Sequence, residues 1–229
     1  MKLSAIFLLL GLLLPSSGSR DSALRDPAAA AGAILQSDRN APTQTTIEPG
    51  LSIGPIKLGD TRARALELFP KKDEDQEWDD KCGSTIDWVD SANRTGHGDL
   101  LIRMKKGKVF QLESTTTRFQ TGDGITIFDA PEKVAEAYKG MRAYVLLTPP
   151  VPALGDRPLI FWLDEKKGVV FEFAYYPAQH KRYLYKIVVF APNKTFCPEL
   201  ETTGSPKWQG IRPYSLEPPA DIASNFLAY

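Results

Sequence analysis

The sequence predicts an α+β protein made of two tandem repeats, each a short helix packed on an antiparallel β-meander, the two together forming a curved sheet. Three observations lead there. The first is an ungapped internal match, in which IKLGDTRARALELFP at residues 56–70 lies over ITIFDAPEKVAEAYK at residues 125–139 with a constant offset of 69. The second is a change of period inside each copy. Ile56 and Leu58, like Ile125 and Ile127, alternate as on a strand with one buried face, whereas Ala65, Leu68 and Phe69, like Val134, Ala137 and Tyr138, share one face of a helix. The third is that apolar alternating runs follow each copy and turn at Lys106-Gly107 and at Lys167-Gly168.

Along the chain, residues 1–19 read as a secretory signal, with Lys2 ahead of an apolar run and small residues at 15–19. That run is too short for a membrane span, which takes about 20 apolar residues. Residues 20–48, rich in Ala, Ser, Thr and charge without a sustained period, read as a flexible lead-in. Repeat 1 is expected at 49–119 and repeat 2 at 120–196, with a Pro-rich tail at 197–229.

Asp60 and Asp129 stand where helix N-caps are expected, and Pro131 and Glu132 strengthen that reading in the second copy. Each helix then meets a stop, Pro70 in one and Gly140 in the other. Between the helices, residues 71–81 read as a solvated charged loop, and strands are expected at 85–89, 100–105 and 109–113, the last extended by the Thr-rich 114–119. After the second helix, strands are expected at 143–147, 159–164, 169–176 and 182–190, with a Pro-rich loop at 148–158.

At 229 residues and 42% hydrophobic content, the chain can bury a sizeable core. Lys plus Arg and Asp plus Glu both number 28, so no excess charge points to nucleic acid or an anionic membrane. Cys82 and Cys197 form an even pair, which in an oxidising compartment favours a disulfide between them. A zinc site from Cys82, His97, His180 and Cys197 lacks the close ligand spacing that such sites use. Asp73, Asp75, Asp79 and Asp80 cluster, yet without the glycine and terminal glutamate of a calcium loop. No metal and no cofactor is therefore expected.

The stretch GLSIGPIKLGDT at residues 50–61, followed by its short helix, resembles the opening shared by exported bacterial proteins of the β-lactamase-inhibitor-protein-like class, and is similar to that of the small outer-membrane assembly lipoproteins. GITIFDA at 124–130 resembles it too, with Phe128 in place of the glycine. The resemblance implies helices on one side of a curved antiparallel sheet and a role in binding rather than catalysis.

No nucleophile elbow, phosphate loop, zinc-binding helix or dinucleotide fingerprint is present in the sequence. The expectation is a periplasmic or secreted, non-catalytic binding or structural module, contacting another exported or envelope protein through an exposed sheet face. With Phe171, Phe173 and Tyr175 turned to the helices, Glu172 and Tyr176 face away, and Trp162 and Lys186 on neighbouring strands are expected beside them. Trp162, Glu172, Tyr176 and Lys186 are thus the candidate binding residues, because aromatics mixed with charge mark contact surfaces, the alternative being that a loop or the C-terminal tail covers this face. The alternative is a hydrolase using distant carboxylates or a histidine.

Overall fold

The computed structural model describes residues 45–70, 76–80, 82–89, 99–146, 157–197 and 208–218, all within the compact unit 41–229. The expected signal segment, residues 148–156 of the expected Pro-rich loop at 148–158, His97, Asp73 and Asp75 lie outside the described residues.

Three short strands come first, β1 (Thr46–Glu48), β2 (Ser52–Ile53) and β3 (Ile56–Lys57), and lead into the helix α1 (Arg62–Leu68). Four strands follow, β4 (Gln76–Asp80), β5 (Gly83–Trp88), β6 (Leu100–Lys105) and β7 (Lys108–Ser114). After β8 (Gln120–Thr121) and α2 (Pro131–Ala137) come β9 (Arg142–Leu146), β10 (Ile160–Asp164) and β11 (Val169–Tyr176). A 3-10 turn at Pro177–Gln179 leads to β12 (Lys181–Phe190), and β13 (Trp208–Ile211) ends the set.

These strands form two sheets, a four-stranded one in the order β3-β2-β1-β8 and a nine-stranded one in the order β13-β9-β10-β11-β12-β7-β6-β5-β4. That arrangement corrects the predicted fold class. The protein is mostly β rather than a tandem α+β repeat of helices on meanders. The two described helices are seven residues each, too little to form a layer. The large sheet runs unbroken because β7 pairs antiparallel with β12, matching Ile187 to Ser114 and Phe190 to Gln111.

What the 69-residue match records is a local likeness of two turns. The Asp60 carboxylate accepts from the Lys57 amide, and that of Asp129 from the Thr126 amide, each at 2.8 Å. The Gly59 amide donates to the Val109 carbonyl at 2.7 Å, and the Phe128 amide to the Leu184 carbonyl at 2.8 Å. The aspartates thus close turns ahead of the helices and are not the caps. Thr61 caps α1, its hydroxyl accepting from the Arg64 amide at 3.2 Å, and Ala130 precedes α2 with no side-chain cap. Pro131 does occupy the start of α2, where its missing N–H costs nothing.

Three further expectations change. Part of the charged stretch 71–81 is β4 rather than loop, at the sheet edge where charged residues are well tolerated and guard against aggregation. The Thr-rich continuation does not prolong β7, which stops at Ser114. The lead-in contributes β1 and the tail contributes β13, paired with β9.

The principal core lies between the large sheet and the elements packed on one of its faces. Ala65 of α1 and its C-cap Phe69, Val134 of α2 and its C-cap Tyr138, and Ile47, Ile53 and Ile56 from the small sheet meet Trp88, Ile102, Trp162, Phe171 and Phe173. Phe69 meets Trp88 edge-on at 5.1 Å, and Tyr138 meets Phe171 at 4.7 Å. A second, smaller cluster of Phe161, Leu163, Val170, Val188, Phe190 and Phe196 covers part of the opposite face. Gly168 ties the sheets together. Its carbonyl accepts from the Gly50 and Phe190 amides, and a Cβ there would stand 2.1 Å from the Phe190 carbonyl oxygen.

Candidate functional site

A row of four charged side chains crosses the centre of the large sheet, one from each of β6, β7, β12 and β11. Arg103 pairs with Glu113, Glu113 with Lys186 at 3.0 Å, and Lys186 with Glu172 at 3.6 Å. Glu113 and Glu172 are buried, at 2% and 4% exposure. Charges taken this far from water persist only when paired and hydrogen-bonded. Two irregularities in the ladder flank the row, between Arg103 and Met104 and between Glu172 and Phe173. Such bulges re-aim side chains where a strand would otherwise keep strict alternation.

The electrostatics are unequal along the row. Burial pushes the Glu172 carboxyl above its ordinary value, only partly offset by Lys186. Burial works upward on Glu113 as well, but Lys186 and then Arg103 outweigh it and hold that carboxyl below its ordinary value. Burial alone would lower Lys186, yet Glu113 and Glu172 raise it and keep it charged.

A polar clamp stands beside the row at Glu113. The Gln111 side chain donates to Glu113 at 2.8 Å and to the Cys197 carbonyl at 2.7 Å, and accepts from the Cys197 amide at 2.6 Å. Cys197 stands at bonding distance from Cys82, with their Cα atoms 6.0 Å apart, a spacing suited to a disulfide. The segment ending in Cys197, with Phe196, thereby lies over the face that the alternation had left open.

The candidate residues divide accordingly. Glu172 and Lys186 are brought together directly opposite each other, but with Glu172 buried and Lys186 only partly exposed rather than as an open surface. Trp162 is opposite Phe171 and 2% exposed, so its ring belongs to the principal core and not to the Glu172 face. A one-residue difference in register reverses the face of every side chain, and here the turn at 165–168, pairing Asp164 with Val169, sets the register that places Trp162 on the core face. Trp162 instead donates to the Ser215 carbonyl at 3.1 Å. Tyr176 stays partly exposed, stacked edge-on with Phe128 at 5.9 Å and Tyr183 at 5.7 Å. Phe128 is 55% exposed and has φ of 69°, a left-handed conformation that a bulky side chain rarely adopts.

Sequence reasoning missed Arg103, Gln111, Glu113 and Arg182. Their signal was available as a polar residue inside an apolar run, as in LLIRMK, KVFQLES and KRYLYKIVVF. Among the described residues, no group of three or more His, Cys, Asp or Glu is placed to hold a metal ion, and no helix is long and apolar enough to cross a membrane. His180 lies with its Nδ1 3.4 Å from the Tyr175 hydroxyl.

No family model matches the chain, and no curated protein matches it. Among solved structures, the crystal structure of the uncharacterized protein yfeY from Escherichia coli is similar at a TM-score of 0.38 and 12% identity, covering 64% of this chain and 99% of that one. A likeness at that level bears on neither the fold nor the function.

Proposed function

We propose that the protein is an exported, non-catalytic binding module that contacts a partner protein through the aromatic end of the large sheet. The observation that carries this reading is Phe128, an exposed aromatic ring fixed by backbone hydrogen bonds between residues 128–129 and Leu184, and stacked on Tyr176. Holding a bulky residue in a left-handed turn costs stability, and strain of that kind collects at functional positions. Lys181 is exposed beside this aromatic end, so the surface suits a partner with an apolar patch and an acidic neighbour. The Cys82–Cys197 pair supports an oxidising compartment, as does the leader read from the sequence.

The hydrolase alternative has less support. Glu113 and Glu172 are the carboxylates that the strands bring together, and both are buried and committed to Lys186, with little access for a substrate. A photo-crosslinking residue placed at position 128 in an exporting cell tests the binding reading. A discrete protein adduct is expected there, abolished by Y176S and absent when the same residue replaces the exposed Lys105. Equal adducts at both positions, or none at 128, contradict it.

A further inference from the structure

Arg182, on β12 opposite Tyr175 of β11, is 5% exposed. Its Nη1 donates to the Pro158 carbonyl at 2.8 Å and to the Phe173 carbonyl at 3.4 Å. Among the described residues, its Nε and Nη2 have no hydrogen-bond partner. These two nitrogens share the guanidinium edge whose N–H bonds run parallel, the edge that grips both oxygens of a carboxylate at once. Leaving such donors unmatched in a buried position is expensive, and native proteins rarely do so without a use for them.

The same side chain lines a cleft of about 320 Å³ with Pro131, Tyr175, Tyr183, Leu216 and Glu217. Lys181 also lines the cleft, and Arg157, which stacks on Tyr175 with its guanidinium carbon 3.9 Å from the ring centre, adds a further positive charge nearby. Burial draws Arg182 down to about 10, with Glu217 opposing that and Arg157 reinforcing it, so the group is still charged at neutral pH.

We propose that this cleft binds a monocarboxylate carried on an apolar group, its two oxygens taken by the Nε and Nη2 edge of Arg182. The ring and leucine walls accept the apolar part. Glu132 and Glu217, also on the lining, oppose a doubly charged phosphate more strongly than a single carboxylate. Both free nitrogens are shielded from bulk solvent, so entry displaces part of the lining. The cleft adjoins the aromatic surface proposed above through Tyr183, which stacks on Tyr176, but the carboxylate proposal does not depend on that reading.

Phenylacetate is the probe, titrated into the full mature chain and followed through the Arg182 Nε–H resonance. A saturable shift is expected, with none from phenylacetamide, and binding at least about tenfold weaker in R182K, which keeps the charge but loses the fork. E217Q, at an exposed position, is expected to bind severalfold tighter. The proposal is overturned if the wild-type resonance does not respond, if the amide binds as well as the acid, if inorganic phosphate displaces phenylacetate at lower concentration, or if E217Q binds no tighter. The wild-type and E217Q titrations decide the matter even where R182K does not fold.

Discussion

The Gln111 side chain holds both polar ends of one residue far away in sequence, donating to the Cys197 carbonyl at 2.7 Å and accepting from the Cys197 amide at 2.6 Å. The clamp fixes the segment that covers the outer face of the sheet, and it stands beside the charged row through Glu113. Replacing Gln111 by Leu leaves a buried amide and a buried carbonyl without partners. Q111L is expected to lose about 2–4 kcal/mol, measured by urea denaturation with the disulfide intact.

Cys82 and Cys197 are 115 residues apart, so a bond between them closes a long loop in the unfolded chain. C82S/C197S is expected to lose about 4–5 kcal/mol by the chain-entropy estimate. Free-thiol titration of the denatured, unreduced protein checks the pairing itself, with no reactive thiol expected.

Lys186 is shared by two buried carboxylates. K186M strands Glu172 without its cation and is expected to cost about 3–5 kcal/mol. Removing the charge on both sides in E172L/K186M leaves Glu113 its Arg103 partner, and the double variant is expected to be more stable than K186M alone. Equal loss in the two variants would show that the carboxylate left behind is not what makes K186M costly.

The two carboxylates predict opposite pH profiles. Burial raises Glu172 from the ordinary value of 4.5, so its contribution is largest when protonated and is lost as pH rises through the folded-state value. E172Q should therefore gain on the wild type as pH climbs from 4.5 towards neutrality. Glu113, held below 4.5 by Lys186 and Arg103 against its burial, contributes above that pH and loses its contribution on acidification. E113Q should be most destabilised near neutral pH, with the gap narrowing in acid, as denaturation at stepped pH will show.

Gly59 and Gly168 both have left-handed backbones, with φ of 89° and 69°, yet a Cβ at Gly59 meets nothing within 4 Å whereas one at Gly168 meets the Phe190 carbonyl oxygen at 2.1 Å. G59A is expected to cost about 1–2 kcal/mol for backbone conformation alone. G168A must also displace backbone at the junction of the two sheets, and its loss should be clearly larger in the same denaturation assay.

Much of the strand pattern could be read from alternation. Residues 100–105 and 169–176 are strands with the expected bounds, and Lys106-Gly107 makes the expected turn, its Gly107 at φ of 73°. The sheet's continuity could not be read, because the pairing of β7 with β12 joins residues that are 73–79 positions apart and carry no local mark of each other. Asp60 and Asp129 have the chemistry of caps, but a short carboxylate can equally bond the amide three residues behind it, and it does so here. Alternation places Glu172 on the face turned away from the helices and leaves open whether a loop or the tail covers it, because alternation shows which side a residue takes and not what lies over it. The covering segment and Lys186 both come from later in the chain. Trp162 was misplaced although the signal was local: the turn at 165–168 pairs Asp164 with Val169 and so sets Trp162 opposite Phe171, on the core face.

Crosslinking yield at position 128 in the E172L/K186M protein decides whether the charged row is part of the sheet's construction or of its function. With the row structural and binding at the aromatic end, the double variant folds and gives the wild-type adduct. A double variant that folds with wild-type stability but forms no adduct at position 128 would place the binding function in the row itself.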